Sequence, residues 1–151
     1  MVAPSTRWSV YAGSTLLLAG AVVVAPLGII AETLFTVLGL PTGDTILLLP
    51  GSAAVLGGVV WWAVVERRAA DDYPSGGAAG ILTALLTVGF WTLLVAVVYG
   101  PGVVLVDETR LVIGVVLAVT TPAGAAVLLA VMYARRRIHN DPAGGSEATV
   151  E

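Results

Sequence analysis

The chain has 151 residues, of which 58% are hydrophobic and only 11% charged, with a formal net charge of -3 and a mean hydropathy of +0.97. Soluble domains carry roughly 25% charged residues, so this composition excludes an ordinary water-soluble surface and points to the lipid bilayer as the main partner. There is no cysteine and one histidine, His139, which excludes disulfides and thiolate chemistry and leaves no ligand set for a zinc or haem site.

A helix needs about 20 apolar residues to cross a bilayer core of ~30 Å. The first such run covers about residues 8–31, and it holds no charged residue. Arg7 precedes it, as in a signal peptide. The apolar stretch continues well beyond Ala19-Gly20-Ala21, the small-residue segment where cleavage would fall, so the run is read as a retained span.

Glu32 follows at once, and then Leu34-Phe35-Thr36-Val37-Leu38-Gly39-Leu40 resumes the apolar character. Two registers are therefore open. If the span begins at Trp8, Glu32 lies 24 residues on, about 36 Å at 1.5 Å per residue, and reaches the interface. In this register 32–40 lies along the membrane surface or extends the helix. If the span is instead about 21–40, Glu32 is an intramembrane carboxylate, which usually marks a proton or ion path. Small four-helix exporters use a glutamate of their first helix in this way, and no other motif of this chain matches theirs. The aromatic anchors Trp8 and Tyr11 favour the interfacial register. Glu32 is nonetheless the one candidate ion-coupling residue.

The second run covers about 45–65 and the third about 80–99, with a polar segment from Glu66 to Ala79 between them that reads as a flexible link. The fourth covers about 111–134, followed by a polar tail, 138–151, expected to be disordered. Asp44 and Asp107 precede the second and fourth runs, where a carboxylate caps a helix and faces the positive end of its dipole. Pro26, Pro50 and Pro122 fall within runs and read as kinks, each freeing the carbonyl four residues earlier. Small-residue stripes mark contact faces: Ala53 and Ala54 with Gly57 and Gly58; Gly80, Thr83, Ala84 and Thr87; Gly114, Ala118, Thr121 and Ala125; Ala126, Ala130 and Ala134.

Orientation follows from arginine. Of the seven basic residues, all arginine, six (Arg7, Arg67, Arg68, Arg135, Arg136, Arg137) fall on the side of the amino terminus and one, Arg110, on the other. The excess predicts that both termini are cytoplasmic. Trp8, Tyr11, Trp61, Trp62 and Tyr133 would lie at the same interface.

The expected fold is an all-α integral membrane protein, a bundle of four transmembrane helices over residues 1–137. The segments 50–56 and 122–128 run parallel (Pro-Gly-Ser-Ala-Ala-Val-Leu and Pro-Ala-Gly-Ala-Ala-Val-Leu), which suggests two tandem helical hairpins. The motifs of nucleophilic hydrolases, zinc proteases, phosphate-binding loops and dinucleotide folds are absent, and no basic surface suits nucleic acid. The sequence thus leads to a non-enzymatic, multi-pass cell-membrane component without cofactor or metal, in a homo-oligomer or larger complex. A small oligomeric transporter or channel coupled through Glu32 is the alternative.

Overall fold

The computed structural model describes residues 4–24, 28–37, 39 and 48–140. It is all-helical, with no strand among the described residues. In chain order the elements are α1 (Pro4–Val24), α2 (Gly28–Val37), α3 (Leu48–Trp61) running into a π-helical turn (Trp62–Glu66), α4 (Tyr73–Tyr99), a 3-10 turn (Pro101–Leu105) and α5 (Asp107–Asn140). Three helical stretches among the described residues are long and apolar enough to cross a membrane: Leu48–Glu66, Tyr73–Tyr99 and Asp107–Ile138. The kink at Pro26, the cap at Asp44 and the tail 141–151 lie outside the described residues.

The long helices pack as two antiparallel pairs, α1 on α3 and α4 on α5, set against each other through α3–α4 and α1–α5. Small residues explain the pairing, because they let backbones approach closely enough for dispersion contact where lipid supplies no hydrophobic drive. A Cβ on Gly13 would meet the Ala54 carbonyl oxygen at 2.9 Å, and one on Gly20 would meet Pro50 Cβ at 2.9 Å. In the second pair, a Cβ on Gly80 would collide with the Gly124 carbonyl oxygen, and one on Gly124 would stand 2.8 Å from the Gly80 carbonyl oxygen. The 50–56 and 122–128 segments, alike in sequence, sit differently: Pro50 is buried and Pro122 exposed. Of the small-residue stripes, Gly80, Thr83 and Ala84 are buried, whereas Ala126, Ala130 and Ala134 face outward.

The first apolar run contributes two helical segments among the described residues. α1 ends at Val24 and α2 begins at Gly28. A straight helix would carry Phe35 about 22 Å beyond Gly20. Instead Phe35 packs on Trp91 at 5.7 Å between ring centroids, and the Trp91 indole donates to Ser52 Oγ at 3.0 Å, two residues from the Pro50 that meets Gly20. α2 therefore does not continue the line of α1, and of the two placements open for the segment after Glu32, along the membrane surface or as an extension of the first helix, residues 32–37 do not adopt the straight extension. Burying the Phe35 ring against Trp91, Leu49, Leu94 and Val95 is what holds α2 there.

The polar segment 66–79 is mostly helix, not a flexible link. Asp72 caps α4: its carboxylate accepts from Ser75 N–H at 3.2 Å and from Ser75 Oγ at 2.8 Å, and Pro74 sits in the first turn, where no helical N–H is required of it. The glycines that looked like linker, Gly76 and Gly77, face Met132 and Leu129 of α5. Their poor helix propensity is outweighed by packing. Hydrogen bonding to Ser75 holds the Asp72 carboxyl below its ordinary value. A depressed carboxylate pKa contributes stability above the unfolded-state value, and the contribution disappears as pH falls through the folded-state value. Asp72→Ala at neutral pH, or acidification of the native chain, is therefore expected to fray the first turn of α4. Faster amide exchange at Ser75 and Gly76, with α5 unaffected, is the readout.

The helices also outrun the apolar sequence at the other ends. Asp107 lies within the first turn of α5 with Glu108, where it meets the helix dipole from inside the helix, and pairs with Arg110 at 3.8 Å in an exposed bridge. α5 continues through Pro122 to Asn140, so the first residues of the expected tail are helical. Near that proline the Thr120 hydroxyl donates to the Val116 carbonyl at 2.7 Å, not to the Ala118 carbonyl that Pro122 leaves free.

Candidate functional site

The polar centre of the molecule lies where α3 ends, α4 begins and the last turns of α5 pass by. α3 changes pitch at Trp62. The Arg67 N–H donates to the Trp62 carbonyl at 2.8 Å, five residues back, and π-helical hydrogen bonds of this kind bring residues five apart onto one side of the helix. Trp61 and Glu66 are so related, and the Trp61 indole donates to Glu66 Oε1 at 3.1 Å. Trp61 is wholly buried within the bundle at this end, whereas Trp62 beside it remains exposed.

The helix then closes with Ala69 N–H on the Glu66 carbonyl at 3.1 Å and Ala70 N–H on the Val65 carbonyl at 2.9 Å, the paired bonds of a Schellman cap. Ala69 takes φ 49°, a left-handed conformation in which glycine is usual. That reversal aims the following residues back towards α5.

Arg135 completes the cluster. Its guanidinium meets Glu66 Oε1 at 3.3 Å through Nη1 and Asp71 Oδ1 at 3.1 Å through Nη2. The Arg135 and Glu66 side chains are 11% and 6% exposed, Asp71 69%. One arginine on α5 thus ties the π turn of α3 and the α3–α4 connection together, and Arg136 adds a cation–π contact over Tyr73 at 4.8 Å. Beneath lies the largest core cluster, with Leu16, Trp61, Val65, Leu128, Val131 and Met132. Chemically the arrangement is a clamp: Glu66, Asp71 and Arg135 each have an opposite charge against them, and no nucleophile stands within it. No grouping of three or more metal-ligating side chains occurs among the described residues.

Elsewhere the spaces are apolar. A cavity of about 100 Å³ between the helices is lined by Leu16, Gly20, Thr83, Thr87, Thr120 and Val127 among others. Its threonine hydroxyls donate to carbonyls of their own helices, those of Ala79, Thr83 and Val116. A groove of about 560 Å³ opens outward between α4, the 3-10 turn and α5, walled by Leu85, Leu93, Leu105 and Ile113. No ionisable side chain lines either space.

Comparison with protein-family models, with curated proteins and with solved structures finds no match.

Glu32, the sequence candidate, is exposed on α2. The Thr36 hydroxyl donates to its backbone carbonyl at 2.8 Å. Among the described residues its carboxylate forms no ion pair, and it borders neither the cavity nor the groove. The structure instead gathers Glu66, Asp71 and Arg135, which sequence reasoning had treated as loop acids and an orientation signal. Only the position of Glu66, directly at the end of an apolar run, hinted that its carboxylate would be drawn into the packing.

Proposed function

We propose that the chain is a four-pass membrane protein with its arginine-bearing end in the cytoplasm, acting as a structural or accessory component of the cell membrane, alone or in a homo-oligomer or larger complex. The observation that carries this reading is the placement of buried charge. Glu66, Arg135 and Asp71 close on one another at one end of the bundle, while the inner cavity is lined by small and apolar residues and by threonines. Intramembrane ionisable groups are the usual mark of a proton- or ion-coupled path, and none lines this cavity. α1 supplies the fourth crossing: its 21 residues span about 31 Å, and it lies antiparallel to α3.

The chain has no cysteine, so single cysteines report topology cleanly. Arg68→Cys and Arg137→Cys are expected to be labelled by an impermeant reagent only from the cytoplasmic side, and Glu32→Cys and Thr109→Cys only from outside. In proteoliposomes under a pH gradient, proton leak through the wild type is expected to equal that of Glu32→Gln and of empty vesicles. A leak or exchange flux abolished by Glu32→Gln would replace the scaffold reading with the transporter one.

A further inference from the structure

At the arginine end, the three carboxylates of the α3–α4 junction are engaged within the protein: Glu66 and Asp71 on Arg135, Asp72 on Ser75. Four of the six arginines there are not. Arg7, Arg67, Arg68 and Arg137 are exposed, and among the described residues none has an ion-pair partner. They stand at the ends of α1, α3 and α5, beside exposed aromatic rings: Tyr11 at 64%, Trp62 at 48% and Tyr133 at 53% exposure. Aromatic rings with apolar bodies and polar tips favour the headgroup level of a bilayer. Guanidinium groups at that depth meet phosphate, which they bind bidentately.

We propose that this end of the bundle is a binding surface for anionic phospholipid headgroups, with Arg67 and Arg68 as its centre. The internal clamp is what creates it: Arg135 neutralises the carboxylates that would otherwise pair with the outer arginines. The opposite end carries Asp107 and Glu108 against the single Arg110 and offers no such surface. Nucleic acid would also complement arginine, but the belt of exposed rings and apolar helix surface next to these arginines fits lipid.

Trp62 is the built-in reporter. It lies one π turn from Arg67 and is exposed, and the half-buried Trp8 adjoins Arg7 at the same end, whereas Trp61 and Trp91 are buried. The full chain is reconstituted into phosphatidylcholine vesicles containing phosphatidylglycerol, with brominated acyl chains on one lipid or the other at equal mole fraction. Brominated phosphatidylglycerol is expected to quench tryptophan fluorescence more strongly, and 0.5 M salt to weaken the preference. Arg67→Gln with Arg68→Gln is expected to lower the relative affinity for the anionic lipid about tenfold, at about fivefold or less per arginine; Arg110→Gln is expected to leave it unchanged. Equal quenching by both lipids in the wild type, or a preference untouched by the double substitution, overturns the proposal. If the variant does not reconstitute, the wild-type preference and its salt dependence decide. The inference rests on the membrane reading: a chain that does not co-float with vesicles overturns both, while one that co-floats without lipid preference overturns this one alone.

Discussion

Arg135→Met is expected to destabilise the protein by about 3 kcal/mol, the lower part of the range for breaking a buried ion pair. The magnitude follows from what is left behind. Glu66, 6% exposed, would keep only the Trp61 indole for its charge, and Asp71 would lose its tie to α5. The lower figure is appropriate because Asp71 is open to solvent and water can reach the edge of the cluster. Glu66→Leu alone is expected to be comparably harmful, since it leaves the Arg135 guanidinium with the exposed Asp71 as its one remaining carboxylate in the cluster.

Combining Glu66→Leu with Arg135→Met should recover much of the loss, because apolar pairs of similar volume often replace buried ion pairs without penalty. Recovery should be incomplete, as the Trp61 N–H loses its acceptor. Unfolding in mixed micelles, arranged as a double-mutant cycle, measures the coupling. Additive losses would show that the two side chains do not act as a pair.

The second large effect is at the α4–α5 crossing. Gly80→Ala places a methyl group against the Gly124 carbonyl oxygen, with Ala125 Cα only 2.6 Å away. Both neighbours are backbone, so no rotamer change relieves the clash and α5 itself must move. Overpacking typically costs about 1–3 kcal/mol, and the upper end is expected here; Gly80→Val should prevent the native pairing altogether. Gly89→Ala, in the same helix, is the counter-example. Its Cβ would meet nothing within 4 Å, so the substitution should be neutral or stabilise by up to about 1 kcal/mol through helix propensity. Opposite signs for the same chemical change in one helix would locate the crossing at Gly80. Equal effects would remove the close approach as the explanation.

These two sites differ in how much of them could be read beforehand. The Gly80, Thr83, Ala84, Thr87 stripe is visible in the sequence because helical spacing alone puts small residues on one face. On α5 the series Gly114, Ala118, Thr121 and Ala125 meets α4 only in part: Gly114 and Ala118 face outward, as do Ala126, Ala130 and Ala134, while Ala125 and the neighbouring Gly124 make the contact with Gly80. A stripe says that a face can approach another backbone. Which faces meet depends on all the helices packing at once.

Run length, the exclusion of charge from the runs and the absence of cysteine are local properties, so the sequence alone determined that the chain is helical and built for lipid. The same applies to the gathering of arginine on alternate connections, because helices joined in antiparallel order bring those connections to one end. Tertiary structure decided the rest. The placement of α2 beside α3 and α4 depends on the Phe35–Trp91 contact, made between residues 56 positions apart. The helix through 73–79 depends on α5 accepting its glycines. The clamp needs Glu66 turned by a π-helical turn, Asp71 delivered by a left-handed Ala69, and Arg135 brought from 69 residues away. A charge count treats all six of those arginines alike. Only the packing separates the one that holds the bundle together from those that face outward.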